Sequence, residues 1–594
     1  MSKRLRPVNL RTRIYTVVAV LGFSTAALVV RAVDLQVLRS DFYQGEGDSR
    51  YLRDIPIPVS RGSILDRNGE PLAVSTPVDA IWANPKEVLE HRERLPELAN
   101  ALSLDLDGLT QRLVQRSDKE FIYLKRPVDP DSADALLKLR IPGVASERAF
   151  RRYYPSSEVM AHVLGTTNID DRGQEGLELA FDNWLVGTPG VKRVIRDLRG
   201  QVVENVELVR EAQPGHDLIL SIDRRIQYLA YRELMSAIAE HNAQSGSMVI
   251  LDVTNGEILA MVNLPSFNPN TRSNADPSHR RNRAVTDVVE PGSTMKAFTV
   301  TAGLESGKWT PTTPIDMSPG TLMVAGNTVR DMHNYGYGDV TRVITKSSNV
   351  GAAKIVLSIS NEDFYKVLHG VGFGEITGSG FPGESPGYLP ESRTWGAFQK
   401  ATMAFGYALN VTPLQLAQAY SVLANHGRLR QPTFLKDAPN PEKQIVAAHV
   451  ADEMLPMLET VVSPQGSALR AAIPNYRVAG KTGTALKFGK GGYETNRYIS
   501  LFAGIVPASN PRLVGVVVIH DPGSGNGGAH YGGLVAAPVF SKVMDGALRL
   551  LNVAPDNVQH WYANAPESGQ PINSKSAAPD YAPDEPNYEE GVPQ

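Results

Sequence analysis

Cysteine is absent from the 594-residue chain, which excludes disulfides, thiolate metal sites and a cysteine nucleophile, while leaving the redox compartment open. Histidine is sparse: the 12 present include no His-Glu-x-x-His pair at zinc-ligand helical spacing, so no metal is expected. A surplus of basic charge is also missing, because 60 Lys plus Arg nearly balance 63 Asp plus Glu. Nucleic acid normally meets a basic face, so a nucleic-acid partner is disfavoured. What remains is ordinary globular composition, 42% apolar and 21% charged. The length predicts about two to four domains.

The N-terminus departs from that average. Lys3, Arg4, Arg6, Arg11 and Arg13 precede an uncharged apolar run from Ile14 to Val30 that ends at Arg31. At about 1.5 Å per helical residue, the run and its flanks roughly match a hydrocarbon core of about 30 Å. The pattern predicts a single membrane span with the basic side cytoplasmic and everything after about Val33 outside the inner membrane. A cleaved signal peptide is the competing reading, but the apolar stretch exceeds a usual h-region and Arg31 interrupts the small-residue cleavage pattern. At the other end, from about Asn552, the chain turns rich in Pro, Ala, Asn, Ser and acidic residues, which predicts a disordered tail.

Between Asp34 and about Gly215 the sequence mixes short apolar strands, such as Ala80-Ile81-Trp82-Ala83, with helical text such as Pro130 to Leu139, and no nucleophile-plus-base set stands out. After Pro214-Gly215 the pattern grows regular. Apolar residues at Ile226, Leu229, Ala230, Leu234, Ala237 and Ile238 predict an amphipathic helix over Asp223 to Glu240. Ser247 to Leu251 and Glu257 to Val262 flank Thr254-Asn255-Gly256, a tight hairpin signal, and Ile499 to Val506 with Leu513 to Ile519 form a second strand pair. Helical text fills the middle, including Phe398 to Ala424. The implied domain is α/β or α+β with an antiparallel sheet, from about Ser221 to about Leu551.

Three short motifs carry chemistry. Ser293-Thr294-Met295-Lys296 follows Glu290-Pro291-Gly292 and opens the apolar stretch Ala297 to Leu304, so Ser293 is expected in a first helical turn with the Lys296 amine on the same face. A serine hydroxyl is a weak nucleophile and needs a base; a lysine serves only if burial or a nearby cation depresses its pKa, and Lys481 is the candidate cation. Lys481-Thr482-Gly483-Thr484 reads as a strand after Val478-Ala479, with Gly483 leaving backbone accessible and Lys and Thr suited to a carboxylate. In isolation an ordinary strand with a surface lysine is the better account of it. Ser347-Ser348-Asn349 shares its Ser-x-Asn template with Ser266-Phe267-Asn268 and Ser524-Gly525-Asn526, and only its place in the order, 54 residues after Ser293 and 134 before Lys481, selects it. The ordered set Ser-x-x-Lys, Ser-x-Asn, Lys-Thr-Gly is a signature of penicillin-binding proteins and class A β-lactamases.

On these motifs the chain resembles the class B penicillin-binding proteins, from the anchor to about Leu551. Arg61-Gly62-Ser63-Ile64-Leu65-Asp66-Arg67-Asn68-Gly69 looks like the opening of their non-catalytic pedestal, with further matches at Tyr154-Pro155, His162-Val163-Leu164-Gly165 and Gly176-Leu177-Glu178. Class A members add a glycosyltransferase domain before the pedestal, for which there is no room here. Gly165-Thr166-Thr167-Asn168 and the stretch from Gly372-Phe373-Gly374 to Pro382-Gly383-Glu384 resemble the septal type, the FtsI or penicillin-binding protein 3 family, more than the lateral-wall type.

The resemblance implies an α+β chain: a basic tail over 1–13, an anchor over 14–33, a pedestal (dimerisation and interaction) domain over 34–220, a transpeptidase domain over 221–551 and an acidic, Pro-rich tail over 552–594. It implies that Ser293 attacks the penultimate D-Ala carbonyl of a stem peptide with Lys296 as base, Ser347 and Asn349 relaying protons and Lys481 supplying positive potential. Thr482, Gly483, Thr484, Tyr498 and Tyr531 would bind substrate, and the N–H groups of Ser293 and Thr484 would form an oxyanion hole. No cofactor is implied. Implied partners are lipid-linked nascent glycan with its stem peptides, β-lactams as inhibitors, a SEDS-family glycosyltransferase of the FtsW type and other divisome proteins.

One departure stands out. Where the family usually shows two adjacent aromatics before Gly-Gly, this chain has His530-Tyr531-Gly532-Gly533 after the glycine-rich Gly523 to Ala529. A β-lactamase, a lateral-wall enzyme, a condition-specific paralogue of the septal enzyme and a divisome scaffold remain as rivals.

Overall fold

The computed structural model describes residues 10–39, 52–196, 202–271, 276–489, 492–523 and 530–557. The basic residues Lys3, Arg4 and Arg6, the loop residues 524–529 with the Ser524-Gly525-Asn526 match, and the tail beyond 557 lie outside the described residues.

Helix α1, Leu10–Val33, buries none of its side chains against protein. Its 24 residues extend about 36 Å at 1.5 Å each, so it is long and apolar enough to serve as a single-pass membrane anchor.

Two compact units follow, interleaved along the sequence. The first takes residues 1–60, 77–150 and 187–215, and the second takes 61–76, 151–186 and everything from 216 onward. In the first unit, β1 (Leu52–Ile57), β6 (Gly190–Arg196) and β7 (Val202–Arg210) make an antiparallel sheet in the order β1-β6-β7. The later half of β3 (Pro71–Ala83) pairs with β4 (Ile122–Val128), and α2 (Leu95–Leu102), α3 (Leu106–Gln115) and α4 (Pro130–Lys138) bury Leu98, Leu102, Leu113 and Leu136 in a small core with Ile81 and Ile122. Asp129 starts α4 by accepting from Ser132 N at 2.9 Å, with Pro130 in the first turn where no N–H is needed.

The second unit holds the Arg61–Gly69 motif. Short β2 (Ile64–Leu65) pairs antiparallel with the start of β3 and parallel with β8 (Leu218–Ile219). Arg61 and Arg152, both buried, clamp the buried Glu178 carboxylate at 2.7 and 2.6 Å, and Arg61 also reaches Asp182 at 2.6 Å. Asp66 accepts from the Asn68, Glu70 and Arg224 N–H groups at 2.8, 2.9 and 3.2 Å. The motif's carboxylate thereby supplies a second acceptor at the start of α5 (Arg224–Glu240), whose N-cap is Asp223.

The central sheet of this unit is antiparallel throughout, in the order β10-β9-β15-β14-β13: β10 (Ile258–Leu264), β9 (Ser245–Asp252), β15 (Leu513–His520), β14 (Gly492–Val506) and β13 (Ala479–Gly489). Every residue of β9, β10 and β15 is buried, so these strands read as apolar runs rather than alternating ones. Helix α5 and the C-terminal helix α10 (Gly532–Leu550) pack on the sheet and on each other, while α9 (Pro413–Ala424), buried at all twelve positions, packs on β9, β15 and β14. The Asn255-Gly256 turn, with Gly256 at φ +77°, joins β9 to β10 as the hairpin signal predicts.

The continuous helix expected over Phe398 to Ala424 is corrected. The helix Ala397–Met403 stops, Gly406 adopts φ +91°, and α9 restarts at a Thr412–Gln415 capping box with Pro413 in its first turn. Gly406 lies so close to Gly292 that a Cβ on it would stand 2.1 Å from the Gly292 carbonyl oxygen, so the break seats the turn that carries Ser293.

Candidate active site

Pro291 and Gly292, the latter at φ +54°, turn the chain into a short 3-10 segment, Gly292–Met295, which runs into α6 (Lys296–Glu305). Ser293 and Lys296 therefore share a face, with Lys296 Nζ 3.0 Å from Ser293 Oγ. Ser347 sits at the C-cap of α7 (Val340–Lys346) in the left-handed region, φ 59°, and Ser348 caps α8 (Asn349–Leu357) through Gly351 N. This two-residue break between helices points Ser347 and Asn349 at the same amine: Lys296 Nζ lies 3.1 Å from Ser347 Oγ and 2.7 Å from Asn349 Oδ1, and also meets the Ser347 carbonyl. Lys481, on the edge strand β13, approaches from the other side, its Nζ 2.9 Å from Ser347 Oγ. Five candidates from three distant stretches of chain thus form one hydrogen-bonded set.

Both lysines are 0% exposed. Burial pulls the Lys296 ammonium down to about 7, against a smaller opposing pull from the Asp331 carboxylate. Burial, and then the Lys296 charge, push Lys481 well below the ordinary lysine value. The chemistry follows from counting hydrogens. A neutral amine has two N–H groups and one lone pair; donation to Asn349 Oδ1 and the Ser347 carbonyl leaves the lone pair free to accept from the Ser293 hydroxyl at 3.0 Å or the Ser347 hydroxyl at 3.1 Å. That is an amine positioned to take a serine proton at neutral pH.

The second wall is β13 and the segment leading into α10. A Cβ on Gly483 would stand 2.9 Å from the Pro291 carbonyl oxygen and 3.1 Å from Thr294 Cγ2, so Gly483 admits the nucleophile's own turn rather than standing open to a ligand. The Thr484 backbone adjoins Gly292, and its hydroxyl accepts from Gly532 N at 3.2 Å. Thr482 is buried and its hydroxyl shares a 2.7 Å hydrogen bond with Ser467 Oγ. Tyr498 stacks on His530, ring centroids 3.9 Å apart and 14° from parallel, and His530 leans on Tyr531 at 4.4 Å. The His530 carbonyl is held by Ser500 Oγ. The three rings form one bank beside Thr484, with an imidazole in its middle.

Comparison with known proteins agrees with this geometry. Residues 246–545 match the penicillin binding protein transpeptidase domain and residues 56–220 match the penicillin-binding protein dimerisation domain. The chain belongs to the penicillin-binding protein transpeptidase family. It is 43% identical over 548 residues to the probable peptidoglycan D,D-transpeptidase PbpC of Pseudomonas aeruginosa, covering 92% of this chain and 96% of that one. It is also 43% identical over 537 residues to the peptidoglycan D,D-transpeptidase FtsI of Escherichia coli, covering 89% and 90%. The crystal structure of penicillin binding protein 3 from Mycobacterium tuberculosis complexed with aztreonam superposes with a TM-score of 0.66 at 28% identity, covering 84% of this chain and 98% of that one. This penicillin-binding protein is of class B, a dimerisation domain joined to a serine D,D-transpeptidase domain, and it acts on peptidoglycan peptides and binds β-lactams.

Three polar residues of the penicillin-binding protein's site carried no signal in the sequence. Asp331, just after the hairpin of β11 (Thr321–Val324) and β12 (Asn327–Arg330), accepts from Ser348 Oγ at 2.6 Å, from Val350 N at 3.0 Å and from Asn349 N. Ser467 reaches Thr482 from the loop before β13. Glu290, three residues before Ser293, accepts from Ala408 N at 3.0 Å and from Tyr493 OH at 2.9 Å, and burial raises its pKa. Asp331 and Ser467 are single residues that only the tertiary fold brings to the motifs, whereas Glu290 is a neighbour of Ser293 in the chain whose partners, Ala408 and Tyr493, are distant.

Proposed function

We propose that this class B enzyme cross-links stem peptides at the division septum through an acyl-enzyme on Ser293. The observation that carries the reading is the Lys296 amine, buried and held between Ser293 Oγ, Ser347 and Asn349 Oδ1. In the proposed cycle Lys296 takes the Ser293 proton as Oγ bonds to the penultimate D-Ala carbonyl carbon. The peptide C–N bond then breaks, and the proton passes by way of Ser347 to the departing D-Ala amine. Asn349 fixes Lys296, and Lys481 supplies positive potential. Thr482 and Thr484 take the terminal carboxylate on β13, and the Ser293 and Thr484 N–H groups steady the oxyanion. Tyr498 and Tyr531 line the groove. An amine from a neighbouring stem peptide then attacks the acyl carbon, its N–H proton passes through Lys296 to the departing Ser293 Oγ, and the new amide completes the cross-link.

The basic N-terminus stays cytoplasmic, α1 spans the inner membrane and the remainder is periplasmic. Residues 34–220 serve as the pedestal and 221–551 as the transpeptidase domain, with a SEDS-family glycosyltransferase and divisome proteins as partners. Equal identity to FtsI and to PbpC supports a second reading, a specialised septal paralogue that works under particular conditions. Depletion of the protein, with a plasmid-borne Ser293→Ala copy tested for rescue, separates the readings. Smooth filaments that the variant does not rescue support the essential septal enzyme. Round cells move the protein to lateral-wall growth, and an unchanged shape favours the specialised paralogue.

A further inference from the structure

We propose that Asp331 is a positioning residue of the transpeptidase: its carboxylate fixes the Ser347–Asn349 break against Lys296, and its negative charge acts in favour of the ammonium form of that amine. The inference rests on the reading of Ser293 as nucleophile and Lys296 as base.

Geometry carries the first half. Asp331 Oδ2 accepts from Ser348 Oγ at 2.6 Å, while Oδ1 accepts from Val350 N at 3.0 Å and from Asn349 N. One carboxylate therefore satisfies N–H groups in the first turn of α8 and also grips the residue between Ser347 and Asn349. The neighbouring Arg330 carbonyl accepts from Asn349 Nδ2 at 2.9 Å, which turns the amide so that its oxygen faces Lys296. These contacts together hold Asn349 with its Oδ1 toward the amine.

Charge carries the second half. The charged group acting on Lys296 is the Asp331 carboxylate, which favours the protonated amine against the opposing effect of burial. Neither lysine has a carboxylate within ion-pair distance among the described residues, so Asp331 acts through space and through Asn349. Burial raises the pKa of Asp331, and its donors and Lys296 lower it.

The sign of the effect is fixed. Loss of the anion destabilises protonated Lys296, so the pH at which the amine becomes a base falls. Loss of a merely structural residue lowers the rate at every pH and leaves that midpoint in place.

The experiment follows acylation of the full-length protein by a fluorescent penicillin across a pH series, in wild type, Asp331→Asn and Ser348→Ala. Asp331→Asn is expected to reduce the plateau rate about tenfold and to move the midpoint of the rising limb to lower pH. Ser348→Ala keeps the charge but frees one oxygen, so it is expected to lower the plateau with the midpoint unmoved. An unmoved midpoint in Asp331→Asn, or a shifted one in Ser348→Ala, overturns the proposal. If Asp331→Asn does not fold, the Ser348→Ala profile decides: an unchanged plateau there also overturns it. Acylation of a Ser293→Ala control would instead defeat the underlying reading, independently of Asp331.

Discussion

Lys296 is the residue on which the chemistry turns, because its position and its environment answer the same need. A fully buried ammonium with no ion-pair partner among the described residues is costly, and burial accordingly lowers the pKa of the amine to about 7. The rate of acylation by penicillin is therefore expected to rise with pH below about 7 and to level above it, as neutral Lys296 accumulates. A stopped-flow pH series checks this, and a flat profile between about pH 5.5 and about pH 8.5 contradicts it. Lys296→Ala is expected to slow acylation roughly a hundred- to ten-thousandfold, the usual loss of a general base, with near-native thermal unfolding. His530 is the other residue-scale test. Its ring stacks on Tyr498 and touches Tyr531, so His530→Tyr is expected to change the second-order acylation rate for β-lactams with aromatic side chains. Equal rates in the two proteins would remove His530 from the groove wall.

At the scale of elements, the site is made by interruptions in regular structure. Ser293 lies in the 3-10 turn before α6, Ser347 in the break between α7 and α8, and Gly406 in the break before α9. Gly406→Ala would place a Cβ 2.1 Å from the Gly292 carbonyl oxygen in a backbone region that L side chains avoid. It is expected to cost about 1–3 kcal/mol in thermal or urea unfolding and to slow acylation as well, because the displaced neighbour carries Ser293. Wild-type rate and stability would show that the contact is not tight. These interruptions also mark where the sequence was legible. The Thr254-Asn255-Gly256 turn, the amphipathic α5 and the apolar runs that became β14 and β15 were readable because local chemistry decides them. The break at Gly406 had its signals in Gly406 and Thr412-Pro413, but apolar text on both sides suggested one helix. Asp331 and Ser467 had no signal at all, since a lone acid or serine acquires meaning only when the fold delivers it to Asn349 or Thr482.

At the scale of the whole molecule, the order of segments along the chain is not the order of packing. The Arg61–Gly69 motif lies between segments of the first unit, yet it belongs to the second, where Asp66 accepts from the start of α5 and Arg61 joins Arg152 on Glu178. Periodicity sees neither pairing, because each spans about a hundred residues or more. Helix α1, by contrast, contributes no side chain to either core. Removal of residues 1–33 is expected to give a protein that acylates at the full-length rate yet fails to support growth of depleted cells. A truncated protein that does support growth would make the anchor dispensable.

The measurement that bears most directly on the central claim is the intact mass of the full-length protein after brief exposure to benzylpenicillin, followed by peptide mapping of the adduct. The account predicts one stable penicilloyl group, on the peptide containing Ser293, and none on Ser293→Ala. An adduct on another residue, or an equal adduct on Ser293→Ala, would contradict it.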